Sequence, residues 1–274
     1  MTLKTDVPVE VPVEDLKVRD PDAATLVNFL ETMEFRTITR RVKEMFEAEG
    51  EIAPKAESQG IDYSKYETIT SQKALDEWVL RIRSKGVAAV DTETDDLNAV
   101  SANLVGISLA IGPNEACYIP IGHNPLTEGE LNLTNEASPE QLPLQKVIET
   151  LKSVLEDPAV LKIGQNIKYD LGVLSRYGIN VAPYDDTMLQ SYCLHAGMHG
   201  HGMDELSERF LGHTPIAFKD VCGSGKNQIT FNKVALDKAT PYAAEDADIT
   251  LRLHLELWPQ IQESPGLLYI YEKV

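Results

Sequence analysis

The chain has 274 residues, 43% of them hydrophobic and 25% charged, enough for one sizeable core and a smaller appendage of an ordinary globular protein. Its apolar runs are too short to cross a bilayer, MTLKTDVPVE has no signal-peptide core, and three scattered cysteines make no disulfide or zinc framework, so a cytoplasmic protein without a membrane partner is expected. The formal net charge of −18 argues against a surface that grips DNA through many phosphate contacts, because such surfaces are basic and bind by releasing counterions.

Residues 1–65 read as a helical appendage with a linker. Residues 7–16, rich in Pro, Val and Glu, have no period and are expected to be extended. PDAATLVNFLETMEF places Leu26, Phe29, Leu30 and Met33 at helical spacing, and TITRRVKEMFEAEG gives a second short amphipathic stretch. EIAPKAESQGIDYSK looks like a linker. From Tyr66 the pattern becomes α/β. Ser71 is placed to cap a helix through SQKALDEWVLRIRSKG that ends near Gly86. VAAVDTE is an apolar strand ending in carboxylates, and LVGISLAIG and ACYIPIG are two more, split by the turn signal Gly112, Pro113, Asn114. SPEQLPLQKVIETLKSVLED is a helix and LKIGQ a short buried strand. Helices then dominate: IKYDLGVLSRYG, DTMLQSYCLHAG, MDELSERFLG and TPYAAEDADITLRLHLELWPQI. Hairpin strands first and helix-linked strands later predict an α/β fold, a mixed sheet with helices on its faces.

Asp91 and Glu93, two apart at the C-terminal end of a strand, leave the same face. Adjacent acids repel unless a cation lies between them, yet Asp91 also fits a turn cap and Glu93 a surface position. Asp170, in GQNIKYD just after the second buried strand, also fits the first turn of a helix, where the dipole favours a negative charge. Tyr242 and Asp246 share one face of the last long helix, about a turn apart; Glu245 and Asp248 in the same stretch are expected to face solvent. Taken together, the four acids and the tyrosine are a set that can clamp two divalent ions. Hard oxygen ligands suit Mg²⁺ or Mn²⁺ rather than zinc. Two such ions activate a water and stabilise the leaving oxygen of a phosphodiester, so hydrolysis of DNA or RNA is the expected chemistry. Cations at the reacting phosphate also remove the objection raised by the acidic balance.

VDTETDDL, GQNIKYD and YAAEDAD, in this order, resemble the three exonuclease motifs of bacterial family A DNA polymerases. That region belongs to the DnaQ-like four-acid exonucleases, and Tyr242, rather than a histidine, marks the tyrosine subclass. NLVGISLAI, YIPIGH, DTMLQSY, MDELSERFLG, GKNQITFN and ADITLRLHLELWP resemble the same region, so the likeness runs over 66–274. It implies a ribonuclease-H-like mixed sheet flanked by helices, a small N-terminal helical appendage, and 3′–5′ proofreading exonuclease activity. Carried over by position, the resemblance implies that Asp91, Glu93 and Asp246 share one ion. Asp91 would bridge to a second, at which Asp170 acts through water, and Tyr242 and Glu93 would position the attacking water. Leu97 matches an apolar wedge against the last bases of a frayed strand. Gln165, Asn166 and Tyr169 match residues near the terminal nucleotides, and Phe218 a stacking aromatic.

The substrate so implied is a single-stranded or frayed 3′ end of DNA. Residues 1–65 would be the tail of a 5′-nuclease region, 66–262 the exonuclease domain, and 263–274 the start of a polymerase domain. The partners are then the polymerase and 5′-nuclease domains of a parent chain, whose basic surfaces would offset the acidity, and a monomer is expected. An RNA exonuclease of the ribonuclease D type shares the acid pattern, and a silent DNA-positioning module is the reading from another class; the intact acids speak against silence.

Other motifs are set aside. HAGMHGHG brings His195, His199 and His201 together but lacks a helical histidine pair with a partner acid. GSGKNQ fails as a phosphate loop, because Asp220 stands where a glycine is needed and Asn227 follows Lys226. Asp95 and Asp96 fit turn or solvated roles, Cys117 and Cys193 core positions, and Trp78 and Trp258 packing.

Overall fold

The computed structural model describes residues 21–33, 35–48, 60–124 and 139–273. The extended stretch expected at 7–16, residues 51–59 of the linker and Ser138 lie outside the described residues; residues 139–143 are not helical, so the helix expected from SPEQ begins only at Leu144, after Pro143. The chain divides into two units, Met1–Ala56 and Glu57–Val274. In the first, α1 (Ala23–Thr32) and α2 (Arg36–Ala48) pack through Ala23, Val27 and Phe46. The expected apolar stripe is only half used: Leu30 is buried, whereas Phe29 and Met33 are exposed.

The second unit is built on six strands: β1 (Glu67–Thr68), β2 (Val87–Thr94), β3 (Leu104–Gly112), β4 (Glu115–Pro120), β5 (Leu161–Gly164) and β6 (Tyr184–Asp186). They form one mixed sheet in the order β1-β4-β3-β2-β5-β6. β3 is antiparallel to β2 and β4, and the other pairs are parallel. The expected α/β architecture is the one observed; β1 and β6, two and three residues long, were too short to leave a period.

Period-two alternation divides β2 between two cores. Ala88 and Val90 join Leu75, Trp78, Val147 and Leu151 of α3 (Gln72–Lys85) and α4 (Leu144–Leu155). Ser71 caps α3 by accepting the Ala74 N–H, and Gly86 ends it at φ +70, as the sequence predicts. Ala89 faces the other way, onto Ala244 and Ala247 of the long helix α9 (Leu236–Gln262). Ala110 and Ala116 floor the same contact. With methyl groups on both sides, helix and sheet approach closely.

Between β5 and α9 in the chain come α5 (Lys168–Arg176), α6 (Thr187–His195), α7 (Met203–Leu206) and α8 (Phe218–Cys222), with α10 (Pro265–Lys273) last. The MDELSERFLG helix is shorter than expected: after Leu206 it widens into a π turn, Ser207–Leu211, closed by Gly212 at φ +66.

One expectation is overturned. Glu245 and Asp248 do not face solvent; both are fully buried on α9. Donors from distant segments make this possible. Tyr63 Oη (2.7 Å), His213 Nε2 (2.6 Å) and the Ile216 N–H (2.7 Å) donate to Glu245. Tyr66 Oη (2.8 Å), the Asn114 N–H (3.1 Å) and Arg252 Nε (2.9 Å) donate to Asp248. A buried carboxylate is tolerated when its lone pairs are taken in this way.

Candidate active site

The site lies where β2 and β5 part. Their parallel ladder covers only Val87–Ala89 against Leu161–Ile163. Beyond it the chain after β5 turns into α5, and a carboxylate takes the place of a neighbouring strand. Asp170 Oδ1 accepts the Thr92 N–H at 2.9 Å and the Thr92 hydroxyl at 2.5 Å, and the residue is buried. An opening at the carboxyl ends of diverging parallel strands is a general place for ligands in such sheets.

Asp91 and Glu93 continue the Ala89 face of β2 and so point to the α9 side. Across the ladder Asp91 stands opposite Ser108 and Glu93 opposite Gly106. Asp246 comes down from α9, and one carboxylate oxygen from each of Asp91, Glu93 and Asp246 lies within 4.8 Å of the others. This is the one such convergent group among the described residues. Asp170 stands beside it through Thr92 rather than within it.

The electrostatics are those of crowded acids. Burial, and little else, pushes the Asp91 carboxyl up to about 6. Burial first, then the charges of Asp91, Asp246 and Asp170, hold Glu93 well above the usual carboxylate range. Asp170 is raised by burial and by Asp91. Asp246 is raised by burial, then by Asp91, Glu245 and Asp204, against a hydrogen bond with Tyr242 that lowers it. No Lys, Arg or His forms an ion pair with the convergent three among the described residues. A cation is the missing counter-charge, and an all-oxygen donor set fits a hard divalent ion.

Tyr242 is raised by burial and by Asp246, Glu93 and Asp91, so its hydroxyl stays protonated beside the acids. Its ring packs against Phe218 (6.2 Å between centroids, edge-on) and Phe231 (5.7 Å). Below Phe231, the fully buried Tyr118 donates its hydroxyl to His123 Nε2 at 2.7 Å, while His123 Nδ1 donates to the Val234 carbonyl at 3.0 Å. Tyr118 lies flat over Gly106, where a Cβ would come within 2.1 Å of its oxygen, so glycine opposite Glu93 makes room for that ring.

The residues matched to substrate contacts gather around the same opening. Leu97 is 94% exposed on the loop after β2. Tyr169 ties that loop to α5, its hydroxyl accepting from Thr94 Oγ1 (2.5 Å) and donating to the Asp96 carbonyl (2.6 Å). Asn166 is exposed at the turn after β5, and Phe218 opens α8 over Tyr242. The Gln165 amide is held inside the protein: Nε2 donates to the His201 carbonyl at 2.8 Å, and Oε1 accepts from Thr187. Asp95 and Asp96 take turn roles, Asp95 accepting the Asn103 N–H and Asp96 the Asn98 N–H.

Three participants escaped the sequence reading. Thr92 anchors Asp170 and sits between the two acids that were recognised. Ser108, fully buried opposite Asp91, has no hydrogen-bond partner. Asp204 adds negative charge near Asp246 and Tyr242. Only the D-T-E run hinted at any of them. The histidine cluster does assemble, with successive ring centroids 5.2 and 5.1 Å apart, but its nitrogens do not converge. His199 Nδ1 meets the Gly200 carbonyl and His201 Nδ1 meets Ser191 Oγ, each at 2.7 Å.

Comparison with known proteins decides the family. A family model of the polymerase A type, described as 3′–5′ exonuclease, matches residues 66–262. The chain belongs to this exonuclease family. Its carboxylate cluster is the feature expected of a divalent-metal-dependent nuclease domain. Over 99% of its length the chain is 38% identical to DNA polymerase I of Rhizobium leguminosarum, covering 34% of that protein. Over 97% it is 37% identical to DNA polymerase I of Pseudomonas aeruginosa, covering 28%. The chain thus spans about a third of the length of these relatives. Among solved structures, Escherichia coli RNase D superposes with a TM-score of 0.54 at 20% identity, over 74% of this chain and 48% of that one. At that identity the likeness speaks to the fold alone, and it is the ribonuclease-H-like fold expected. No helix among the described residues is long and apolar enough to cross a membrane.

Proposed function

We propose that this exonuclease domain removes nucleotides from a single-stranded or frayed 3′ end of DNA as the proofreading part of a DNA polymerase I. The observation that carries the reading is the convergence of Asp91, Glu93 and Asp246 within 4.8 Å, with the Tyr242 hydroxyl a helical turn from Asp246. Asp91, Glu93 and Asp246 would hold one Mg²⁺ or Mn²⁺, and Asp91 with Asp170 would serve a second. Bound divalent ions supply an activated water and stabilise the leaving oxygen. Tyr242, kept protonated by its surroundings, would orient the attacking water by hydrogen bonding, and Glu93 would accept from it. Leu97 wedges against the terminal bases, Asn166, Tyr169 and Gln165 border the last nucleotides, and Phe218 stacks beside Tyr242. The DNA polymerase I relatives support DNA over RNA. The same reading takes residues 1–65 as the tail of a 5′-nuclease region, 66–262, the span of the family match, as the exonuclease domain, and 263–274 as the start of a polymerase domain, in a monomeric, cytoplasmic parent.

The test is degradation of 3′-labelled single-stranded DNA, beside RNA of the same sequence, with Mg²⁺ or Mn²⁺. Stepwise shortening of DNA that disappears in Asp170→Ala supports the reading. Preferential shortening of RNA would replace it with a ribonuclease D-like activity. No shortening of either, with Mn²⁺ bound, would favour a silent positioning module.

A further inference from the structure

We propose that Asp186 is a positioning residue for this reaction, a single carboxylate that sets the turn carrying Gln165 and Asn166 and the start of the helix carrying Asp170. The inference rests on the proposed exonuclease reading for its link to activity, and on hydrogen bonds for its geometry. Asp186 ends β6 and is 5% exposed. At the N-terminus of α6 its Oδ1 accepts the N–H groups of Met188 (2.8 Å) and Leu189 (3.4 Å), an ordinary helix cap. The same side chain also reaches across to the other chain segment. Oδ1 accepts the Asn166 N–H at 3.1 Å and Oδ2 the Ile167 N–H at 3.0 Å.

Those bonds fall where α5 needs them. Ile167 is the capping position of α5 and has no capping side chain of its own. The first N–H groups of a helix are unsatisfied unless something outside it accepts them. Asp186 therefore helps cap two helices at once. Asp170 lies in the first turn of α5, so its direction toward Thr92 follows from how that helix starts.

The turn itself needs holding. Asn166 has φ +56, a left-handed conformation that non-glycine residues seldom adopt, asparagine among the more tolerant, so the surroundings help to hold it. Gly164 lies so close to Ile167 that a Cβ there would come within 2.6 Å of the Ile167 side chain. Next to Asp186, Thr187 Oγ1 donates to the Gly164 carbonyl at 3.1 Å and also to Gln165 Oε1. Asp186 is fixed in turn by α10: its N–H donates to Tyr271 Oη at 2.9 Å, and that hydroxyl donates to Asp185 at 3.2 Å.

The experiment compares Asp186→Ser and Asp186→Asn with the unaltered chain. Serine keeps the α6 cap but is too short to reach the Asn166–Ile167 amides, whereas asparagine keeps an acceptor at full length. In the serine variant kcat/KM on a 3′-labelled single strand should fall about a hundredfold, the scale of a misplacement near 1 Å. Mn²⁺ binding should persist, and the asparagine variant should recover most of the loss. Hydrogen exchange should quicken at Asn166 and Ile167 in the serine variant, while Met188 and Leu189 stay protected. Full kcat/KM in a folded serine variant, or unchanged protection at 166 and 167, would overturn the proposal. An unaltered chain that degrades neither DNA nor RNA would instead sink the exonuclease reading, and the exchange data would still decide Asp186. If the serine variant does not fold, Asp186→Asn decides alone: its oxygen keeps the Asn166 N–H but its amide nitrogen cannot accept from Ile167, so exchange should quicken at Ile167 with only a few-fold loss of turnover, and unchanged exchange there would overturn the proposal.

Discussion

Helix α9 carries two kinds of buried carboxylate a few residues apart. Glu245 and Asp248 are fully enclosed, and each has three or more donors aimed at it from tyrosines, backbone amides, a histidine or an arginine. Asp246 lies between them in sequence and faces Asp91 and Glu93, with a tyrosine hydroxyl as its protein donor. The first pair is structural because the protein itself completes it. The convergent set has its charges turned on one another, which is why we read it as the metal site. Burial alone does not separate the two cases; the inventory of donors does.

The sharpest way to break this comparison is to remove one acid from each set. Asp91→Ala should lower exonuclease turnover by at least about a thousandfold, since it removes the ligand proposed to touch both ions. Single-turnover assays across metal concentrations check this, and activity restored by more Mn²⁺ alone would reduce Asp91 to a minor ligand. Asp248→Ala should instead leave the chemistry in place and destabilise the fold by about 3–5 kcal/mol, because it breaks a buried ion pair and removes the acceptor of the Tyr66 hydroxyl and the Asn114 N–H. Thermal melts give the answer, and a loss below about 1 kcal/mol would show that the tyrosine and amide donors had kept nothing of value.

Asp246→Asn should have the opposite sign in metal-free protein, because it relieves repulsion: melting should rise rather than fall. The same logic fixes the pH dependence. Asp91 goes from an ordinary 3.8 up to about 6 in the fold, so the folded chain binds more protons than the unfolded one in that interval. Metal-free stability is therefore greatest below the unfolded value and is lost as pH rises through about 6. Glu93, Asp170 and Asp246, shifted the same way, extend the loss upward. Mn²⁺ should raise the melting temperature more at pH 8 than at pH 5, and equal increments at the two would contradict the assignment. The smallest effect belongs to Ser108. Its unpartnered hydroxyl suggests that Ser108→Ala stabilises the metal-free protein by about 1 kcal/mol. A clear loss of turnover in that variant would give the hydroxyl a role beside Asp91.

Much of this was legible in the chain. The i, i+2 acids at the end of an apolar strand, and the Tyr–x3–Asp pair on a helix, are local patterns that each also fitted a cap or a solvated face; it took the combination and the family resemblance to bring them together, and Asp91, Glu93 and Asp246 do converge. The burial of Glu245 and Asp248 was not legible, because the Tyr63 and Tyr66 hydroxyls that satisfy them lie 182 residues away. A dense acidic stretch on a helix reads as a solvated face until those partners are known. β1 and β6 were missed for a different reason. Strands this short carry no alternation, and their identity comes from the neighbours they pair with. Asp186 sits in a motif that was noticed only for its likeness to relatives, and its reach to Asn166 depends on a parallel pairing of β5 and β6 that no single segment encodes.

The alanines beneath α9 have a last consequence. Ala89, Ala110, Ala116, Ala244 and Ala247 carry no charge and offer no ligand atom, yet, buried where helix meets sheet, they act as a spacer gauge between the two. The interval they set is also the interval across which Asp246 meets Asp91 and Glu93. Ion-size selectivity would then be written partly in methyl groups. Enlarging one of them, as in Ala244→Val, would retune which cation fits without altering a single ligand.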